Sequence, residues 1–473
     1  MPKKQKIIRS VADYLNTINS LDYEDLRACI DADTVWDDGQ TRRNPIAYEL
    51  FATHEHLDFV KEEIFKFSGQ VLDSDTFATT AQKIEEIWRS RLPKLFPGHE
   101  FAIINDSDLR QIAFCRKRTG FSDDPDEIIT YLTHRDHYVR WNALLSASLY
   151  PHPKLIPHLL MSLDDDDVYN TLTAISALGS SRDKSVIDVL GKRFLILVAG
   201  SGNKLSINDF FAYDLFNALI KLGQKGYNLV FNIFKNYREL EIGTLEDICE
   251  LMGKFGRPEA LEILLEIYLN DRVSSDAALG GLISQETAVL PKILHLLSSE
   301  DVYLRQRAMW FIANTYNIDL RSYLLNGLHD TNSGVREAAV FGLGRFCHAT
   351  RKEILLKAAY DRAVNVRLRA IEGLGSLFES TLLPVFRSLC TDKSPKVRSE
   401  AMRAVAVMES RQGLKFLNSL FETSTNPDRL RIVKALYSYT GDISQLKPLL
   451  AKALACDDKR VVQETNDLIE LLQ

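Results

Sequence analysis

Three pairs of oppositely charged residues recur at one spacing in the C-terminal half of the chain. Each Asp precedes an Arg by six residues: Asp330 and Arg336, Asp361 and Arg367, Asp392 and Arg398. Three Arg in register have the chemistry to bind a row of phosphates. The same spacing also lets each Asp accept hydrogen bonds from turn or helix N-terminal amides while the Arg binds that Asp. We predict this structural use, a ladder that locks the turns within and between units.

A second set of side chains is defined by the aliphatic residue before each of these three Arg and before Arg305. These anchors are Leu304, Val335, Val366 and Val397. Residues three, six and ten positions after an anchor share one helix face, whereas the anchor and residues four and eight after it face the core. The outward positions supply these candidate binding residues: Arg307, Trp310, Asn314, Phe341, Arg345, Arg369, Glu372 and Arg403. Ala338, Ser376, Glu400 and Val407 complete the set.

Arg and Trp are the residue types that dominate interaction hot spots. We therefore predict that the outward positions form a partner-binding face. The alternative is that Trp310 and Phe341 pack between helices as part of the core.

No other motif predicts a catalytic, metal or cofactor site. The pairs His54–Glu55 and His99–Glu100 lie 45 residues apart, and neither belongs to an HExxH motif. The acidic run 164–167 lacks the spacing and Gly of a calcium loop. The segment 199–204 is rich in Gly but lacks the G-x4-G-K-[ST] pattern of a phosphate loop. We predict that it is a surface loop. Whether the chain is an enzyme stays open, and a non-enzymatic function is favoured.

The elements that position these residues repeat along the chain. The four anchors lie 31 residues apart, with Ala four residues after each anchor and Gly or Ala nine after it. The frame extends from residue 139 to residue 462, with fewer matching positions in the outer units, and gives eleven units of two helices each. The small residues allow close approach of neighbouring helices, and the Gly at the end of a second helix suits a left-handed cap.

Two spacings depart from the frame. One of 44 residues contains the 199–204 loop, and one of 26 residues, from 247 to 273, predicts a changed helix pairing.

This pattern, written D-x4-VR-x2-A-x4-G, resembles the HEAT-like repeats of the phycobilisome-lyase type over residues 125–473. The resemblance implies an all-α, right-handed α-solenoid whose second helices line the concave side. Repeats of this kind occur in scaffolds, chromophore lyases and a few enzymes. Deoxyhypusine hydroxylase, one such enzyme, ligates iron through His-Glu pairs on its repeat helices, but both pairs of this chain lie outside the repeats.

Residues 1–120 lack the frame and are predicted to be a mostly helical cap over the repeat domain of residues 121–473. Helices are expected at 8–20, 44–66 and 77–92, and 101–104 is expected to be a strand or a buried loop. An open end of a repeat array exposes apolar surface, so a terminal cap is physically required.

Composition and charge narrow the classes of function. The six cysteines are at least 43 residues apart, which excludes a dense disulfide scaffold and favours the cytoplasm. No apolar run reaches membrane-spanning length. The net charge is −6, yet residues 301–440 carry 21 Lys and Arg against 13 Asp and Glu. This basic segment favours an acidic partner surface.

The sequence supports three functional hypotheses. The first is a non-enzymatic scaffold or adaptor that binds a protein, with an acidic surface, on the concave face. The second is DNA binding or a HEAT-like alkylpurine DNA glycosylase, which the acidic net charge disfavours. The third is a bilin lyase or chromophore-handling protein, suggested by the repeat subtype alone. No cofactor is predicted, and the oligomeric state is open.

Overall fold

A computed structural model describes residues 74–98, 100–106, 111–117, 119–199, 209–240, 242–271, 275–315, 317–345, 351–377, 379–408, 411–439 and 443–472, together with 12, 15–16 and 55–56. These residues form two compact units: those up to Leu294 belong to the first, and those from His295 belong to the second. Helices dominate both units, which confirms the predicted all-α class.

In the residues that the structure describes, the N-terminal part of the first unit combines a long helix with a small sheet. Helix α1 is Ser74–Leu95, and the strands are β1 Glu55–His56, β2 Phe101–Asp106 and β3 Gln111–Arg116. The strand order is β1-β3-β2, and both pairings are antiparallel.

The three helix predictions for this region have different outcomes. The predicted helix 77–92 lies inside α1. Of 8–20, only Ala12, Leu15 and Asn16 are described, and they are helical. Of 44–66, only Glu55 and His56 are described; they pair with β3 as a strand, so the helix prediction is wrong there. Strand β2 takes the strand alternative for 101–104.

Successive helices form the remainder of the first unit. They are α2 Pro125–Leu132, α3 His137–Leu149, α4 Ile156–Ser162, α5 Val168–Ser180, α6 Ile187–Ala199, α7 Asp209–Lys221, α8 Gln224–Phe234, α9 Ile242–Phe255, α10 Pro258–Asn270, α11 Ser275–Ile283 and α12 Glu286–Leu294. The odd-numbered helices from α3 to α11 pack one on the next, as second helices of stacked pairs do.

The second unit repeats this arrangement. Its helices are α13 Val302–Asn314, α14 Arg321–Gly327, α15 Ser333–Arg345, α16 Arg351–Ala358, α17 Val364–Gly375, α18 Leu383–Leu389, α19 Pro395–Val407, α20 Arg411–Thr423, α21 Asn426–Ala435, α22 Lys447–Leu454 and α23 Lys459–Leu472. The second helices α13, α15, α17, α19, α21 and α23 pack in that order. Each of the first helices α14, α16, α18, α20 and α22 packs against the second helix that follows it.

Local sequence explains where these helices begin. The Asp301 carboxylate accepts a 2.8 Å hydrogen bond from the Tyr303 amide and caps α13. Asp124 caps α2 in the same way, and the first residue of that helix is Pro125. A side-chain acceptor satisfies an amide that has no partner inside the helix, and Pro at the first position loses no helical hydrogen bond.

The core of the second helices follows the predicted frame. Val335, Val366 and Val397 are at most 2% exposed, and the Ala four residues after each is fully buried. The first anchor, Leu304, is only half-buried. The residues eight positions after the anchors, Ile312, Leu343, Leu374 and Val405, are also fully buried.

The predicted role of the helix-ending Gly is wrong. Gly344 and Gly375 belong to the last turns of α15 and α17, and neither is among the positive-φ residues of the described chain. A neighbouring Gly shows what small residues do here. A Cβ on Gly342 would lie 3.0 Å from the Cα of Ala313 and 2.9 Å from Leu324 Cδ2. The missing side chain therefore lets α15 approach both α13 and α14.

The two irregular spacings differ in what the structure describes. The loop predicted at 199–204 lies outside the described residues after position 199. In the 26-residue spacing, the second helix α11 has only nine residues and still packs on α9 and α10. A Cβ on Gly253 would lie 2.2 Å from the Gly281 carbonyl oxygen, so α9 and α11 cross at close range.

Candidate functional site

The centre of the predicted binding face is a pair of aromatic rings from consecutive repeats. The centroids of the Trp310 and Phe341 rings are 5.2 Å apart, and their planes are inclined by 50°. Both side chains are half-buried, so neither is a fully enclosed core residue. Helices α13 and α15 present these rings side by side because each ring lies six residues after its anchor.

Arg369 from helix α17 joins the two rings. Its Cζ lies 5.7 Å from the Trp310 ring centroid and 5.5 Å from that of Phe341. These distances fall within the range of cation–π attraction. Three successive second helices thus contribute to one cluster of side chains. We call this cluster, with Arg307, Asn314, Arg345, Glu372 and Arg403, the aromatic–arginine face.

Arg307 and Arg345 flank the rings and contact neutral groups of the described residues. Arg345 Cζ lies 5.4 Å from the Phe341 centroid, and Nη1 donates to the Asn314 Oδ1 at 3.4 Å. Arg307 Nε donates to the Tyr303 hydroxyl at 3.1 Å. Asn314 is itself fixed, because its Nδ2 donates to the Trp310 carbonyl at 2.8 Å.

The other two Arg of the face, Arg369 and Arg403, form ion pairs with three glutamates. Arg369 donates to Glu372 at 2.9 Å and to Glu337 at 3.2 Å. Arg403 Nε donates to Glu400 at 2.9 Å. The pKa of Arg369 is raised, because burial favours its neutral form but the hydrogen bond to Glu372 and the two nearby carboxylates outweigh burial. The face is therefore less basic than its four Arg alone indicate.

The pKa of Arg403 is raised chiefly by its hydrogen bond to Glu400, with a smaller contribution from the charge of Glu372. Glu372 therefore raises the pKa of Arg369 through a hydrogen bond and that of Arg403 through its negative charge alone. The sequence arguments placed these residues on one face, and the structure shows that they form an alternating row of charges.

Sequence reasoning missed two members of the face and misplaced one. Glu337 holds Arg369, and its second oxygen accepts from Asn365 Nδ2 at 2.6 Å. Tyr303 holds Arg307. Tyr303 precedes its anchor by one residue, so extending the helical period one step backward would have found it. Ala338, predicted to face outward, is fully buried.

The predicted charge ladder is present with a different pairing. Arg336 donates through Nε and Nη2 to the Asp361 carboxylate, both at 2.9 Å. Its Nη1 donates to the backbone carbonyl of Asp330 at 3.0 Å. The Arg therefore binds the backbone of its own turn and the carboxylate of the next repeat. The predicted bond to the side chain of its own Asp is not formed.

The same pairing, from an Arg of one repeat to an Asp of the next, recurs along the second unit. Arg305 binds Asp330, Arg367 binds Asp392 at 2.8 Å, and Arg398 binds Asp428 at 3.0 Å. Each Asp of the predicted pairs also accepts from the amide two residues later; Asp361, for example, accepts from Ala363 at 2.8 Å.

Burial opposes ionisation of Asp361, but hydrogen bonds from Arg336 and Ala363 outweigh burial and hold its pKa below the usual range. The ladder side chains are thus occupied with one another, which favours a structural role over phosphate binding.

The acidic run 164–167 in the first unit is also occupied. Asp165 and Asp166 accept from Arg140 at 2.7 and 2.5 Å, and Asp164 accepts from Arg193 at 2.7 Å. Asp167 caps helix α5. Burial opposes ionisation of Asp165, but hydrogen bonds from Arg140 and the Asp167 amide lower its pKa to about 2.

Metal and redox chemistry find no support in the described part of the chain. No group of three or more His, Cys, Asp or Glu there could hold a metal ion. Residues His54 and His99 of the two His-Glu pairs lie outside that part. Burial raises the pKa of the Cys390 thiol to about 12 and also raises that of Cys249. Both thiols therefore stay protonated and unreactive at neutral pH.

Family models match the region that carries the strongest frame. A model described as "HEAT repeat" matches residues 320–349, and one described as "HEAT repeats" matches residues 353–437. Both ranges fall in the second unit and include the helices of the aromatic–arginine face from α15 onward. This chain is a HEAT-repeat protein. No curated protein matches its sequence.

Several solved structures are similar to this HEAT-repeat protein at low identity. Human deoxyhypusine hydroxylase in complex with glycerol is 17% identical, with 66% of this chain and 95% of that chain covered and a TM-score of 0.23. The Pds5–Scc1 complex is 15% identical, with 84% and 72% covered and a TM-score of 0.30.

The karyopherin Kap121p bound to the extreme C-terminus of the protein phosphatase Cdc14p is 12% identical, with 96% and 51% covered and a TM-score of 0.38. These scores carry no information about what the present chain binds. Within the described residues, no helix combines the length and apolar character needed to cross a bilayer.

Proposed function

We propose that this HEAT-repeat protein is a non-enzymatic scaffold or adaptor that binds a protein partner through the aromatic–arginine face. The observation that carries the proposal is the cluster of Trp310, Phe341 and Arg369. It is half-exposed, it is built from three consecutive repeats, and it contains the residue types that anchor protein interfaces.

Recognition uses two kinds of contact. The rings of Trp310 and Phe341 cover an apolar side chain of the partner, and Arg369 fixes them in advance so that little rotamer entropy is lost on binding. Arg307 and Arg345 pair with carboxylates at the edge of that contact. Arg307 donates to the Tyr303 hydroxyl and Arg345 donates to the Asn314 Oδ1. A carboxylate is a stronger acceptor than either of these neutral oxygens.

Charge favours a protein over a nucleic acid as the partner. Glu337, Glu372 and Glu400 lie among the four Arg of the face and would repel a phosphate backbone. A protein that binds duplex DNA needs several Lys or Arg that are able to neutralise phosphates. The DNA-binding hypothesis therefore ranks below protein binding.

A native pull-down followed by mass spectrometry tests the proposal. Partners captured by the wild-type chain should be lost with Trp310→Ala combined with Phe341→Ala. The matched control is Tyr360→Ala, which removes an aromatic side chain that is 61% exposed on the same unit. Retention of every partner by the double variant, or equal loss with the control, contradicts the assignment of this face.

We further propose a cytoplasmic location and a cap formed by residues 1–120. Unreactive buried thiols in Cys249 and Cys390 are consistent with a reducing compartment. Support for the cap comes from strand β2, where Ala102 is buried in one cluster with Trp141 and Leu145 of α3. Helix α2, at the start of the repeats, begins at Pro125.

A further inference from the structure

A cleft on the first helices of the second unit has a different chemistry from the aromatic–arginine face. It has a volume of about 590 Å³ and lies between helix α20 and the turn Ile443–Leu446 that leads into α22. This volume is in the range of about 300–1,000 Å³ typical of ligand sites. The residues that line it come from two successive repeats.

The wall formed by α20 carries two unpaired cations. Arg411 and Lys415 are exposed and lie one helical turn apart. Neither side chain has an ion pair or hydrogen bond with any residue that the structure describes, and the described residues that line the cleft include no carboxylate. This contrasts with Arg369 and Arg403, which neighbouring glutamates already neutralise. An anionic group entering the cleft would meet two cations that no described carboxylate neutralises.

The floor of the cleft is apolar, with one unused acceptor. Leu414, Leu446 and Leu449 are buried beneath the opening. The Asn418 Oδ1, on the same face of α20, is buried and has no hydrogen-bond donor. A buried acceptor without a donor is costly, so a ligand N–H that reaches it would gain a hydrogen bond of full value.

We propose that this cleft binds an acidic peptide segment with an aliphatic side chain. Carboxylates of the segment pair with Arg411 and Lys415, the aliphatic side chain covers the leucine floor, and a backbone N–H donates to Asn418. A nucleotide fits less well, since none of the described residues that line the cleft has an aromatic ring to stack on a base. This site is independent of the proposed function, because its residues lie on first helices of later repeats.

Fluorescence anisotropy with a defined probe tests this proposal. The probe is fluorescein-labelled Glu-Glu-Leu-Glu-Glu-amide, titrated with the full chain at low salt. A Gln-Gln-Leu-Gln-Gln-amide probe should bind at least tenfold more weakly. The variant R411E/K415E should weaken binding of the acidic probe at least tenfold, and Asn418→Ala should weaken it severalfold.

The matched control is K393E/K396E, which changes the net charge equally at two exposed lysines whose side chains have no partner among the described residues. It should change the affinity less than twofold. Absence of binding to the wild-type chain, or equal losses in R411E/K415E and in the control, overturns the proposal. The double variant of Trp310 and Phe341 should bind the acidic probe normally, so failure of this site and failure of the proposed function are distinguishable.

Discussion

At the scale of the residue, Arg336 shows how one side chain connects two repeats. Its side chain is only 7% exposed, and its guanidinium contacts the Asp361 carboxylate together with the backbone carbonyls of Asp330 and Thr331. Removing one partner of a buried ion pair leaves the other charge without compensation, which costs more than the pair itself contributes.

We therefore expect Arg336→Ala to lower the free energy of unfolding by about 2–4 kcal/mol. Urea denaturation followed by circular dichroism measures this change. Arg336→Lys should recover only part of the loss, because an ammonium group cannot reproduce the bidentate geometry. Lys393→Ala, at an exposed lysine, is the control and should stay within about 0.5 kcal/mol of wild type. Wild-type stability of Arg336→Ala would contradict a structural ladder.

The contribution of Asp214, in helix α7, to the stability of the fold should depend on pH. Burial raises its pKa to about 6, and the charge of Lys221 only partly offsets burial. Because the folded-state pKa exceeds the unfolded value of about 3.9, the stability contribution is complete at acid pH and is lost as pH rises through 6. Asp214→Asn should then stabilise the chain by about 1–3 kcal/mol at pH 8.

Thermal or urea denaturation at two pH values checks this prediction. The stabilisation by Asp214→Asn should nearly vanish at pH 4, where the wild-type carboxyl is protonated in the folded state. Asp165→Asn is the natural comparison, because the pKa of Asp165 is lowered to about 2 and its contribution is present above pH 4. An equal effect of Asp214→Asn at both pH values would exclude titration as the cause.

At the scale of the element, close packing of the second helices depends on small residues at particular positions. A Cβ at position 342 already contacts Ala313 and Leu324 at or below 3.0 Å. Gly342→Leu should therefore push α15 away from α13 and α14 and destabilise the chain by about 2–4 kcal/mol. Gly280→Leu is a matched control, because a Cβ there meets no atom within 4 Å. Equal unfolding midpoints for the two variants would refute this packing role.

The sequence predicts the elements better than it predicts their contacts. The 31-residue frame correctly predicts the core positions of α15, α17 and α19, because their burial depends on local helical periodicity. The partner of Arg336 was not predicted, because pairing with Asp361 depends on the offset between stacked repeats. The carboxylate of Glu337 and the cleft beside α20 were missed for the same reason.

The sequence predicts the aromatic–arginine face only in part. Helical period places Trp310, Phe341 and Arg369 on one side of their helices. The distance between the rings depends on how closely α13 and α15 approach, and Gly342 sets that approach. Binding of a partner by this face stays a prediction.

At the scale of the whole molecule, charge and aromatic contacts should affect different steps of binding. The segment 301–440 carries 21 basic against 13 acidic residues within a chain of net charge −6. Such a field accelerates encounter with an acidic partner, whereas buried anchors slow dissociation. Once a partner is captured, its association rate should fall severalfold between 50 and 300 mM salt, on the order expected for electrostatic steering.

Surface plasmon resonance separates the two steps. R307E/R345E should reduce the association rate, and Trp310→Ala with Phe341→Ala should mainly raise the dissociation rate. An association rate independent of salt would remove the electrostatic part of the proposal and leave the aromatic part intact.

The charge ladder has a consequence for how such a chain grows. Each repeat offers one Arg to its successor and one Asp to its predecessor, as Arg336–Asp361 and Arg367–Asp392 show. A tandem duplication of residues 361–391 would add one Arg and one Asp to the ladder. Each Arg and each Asp, original or duplicated, would then still have a partner in the neighbouring repeat. Gene duplication in whole units therefore preserves the electrostatic register, whereas a shift of one residue inside a turn would break it.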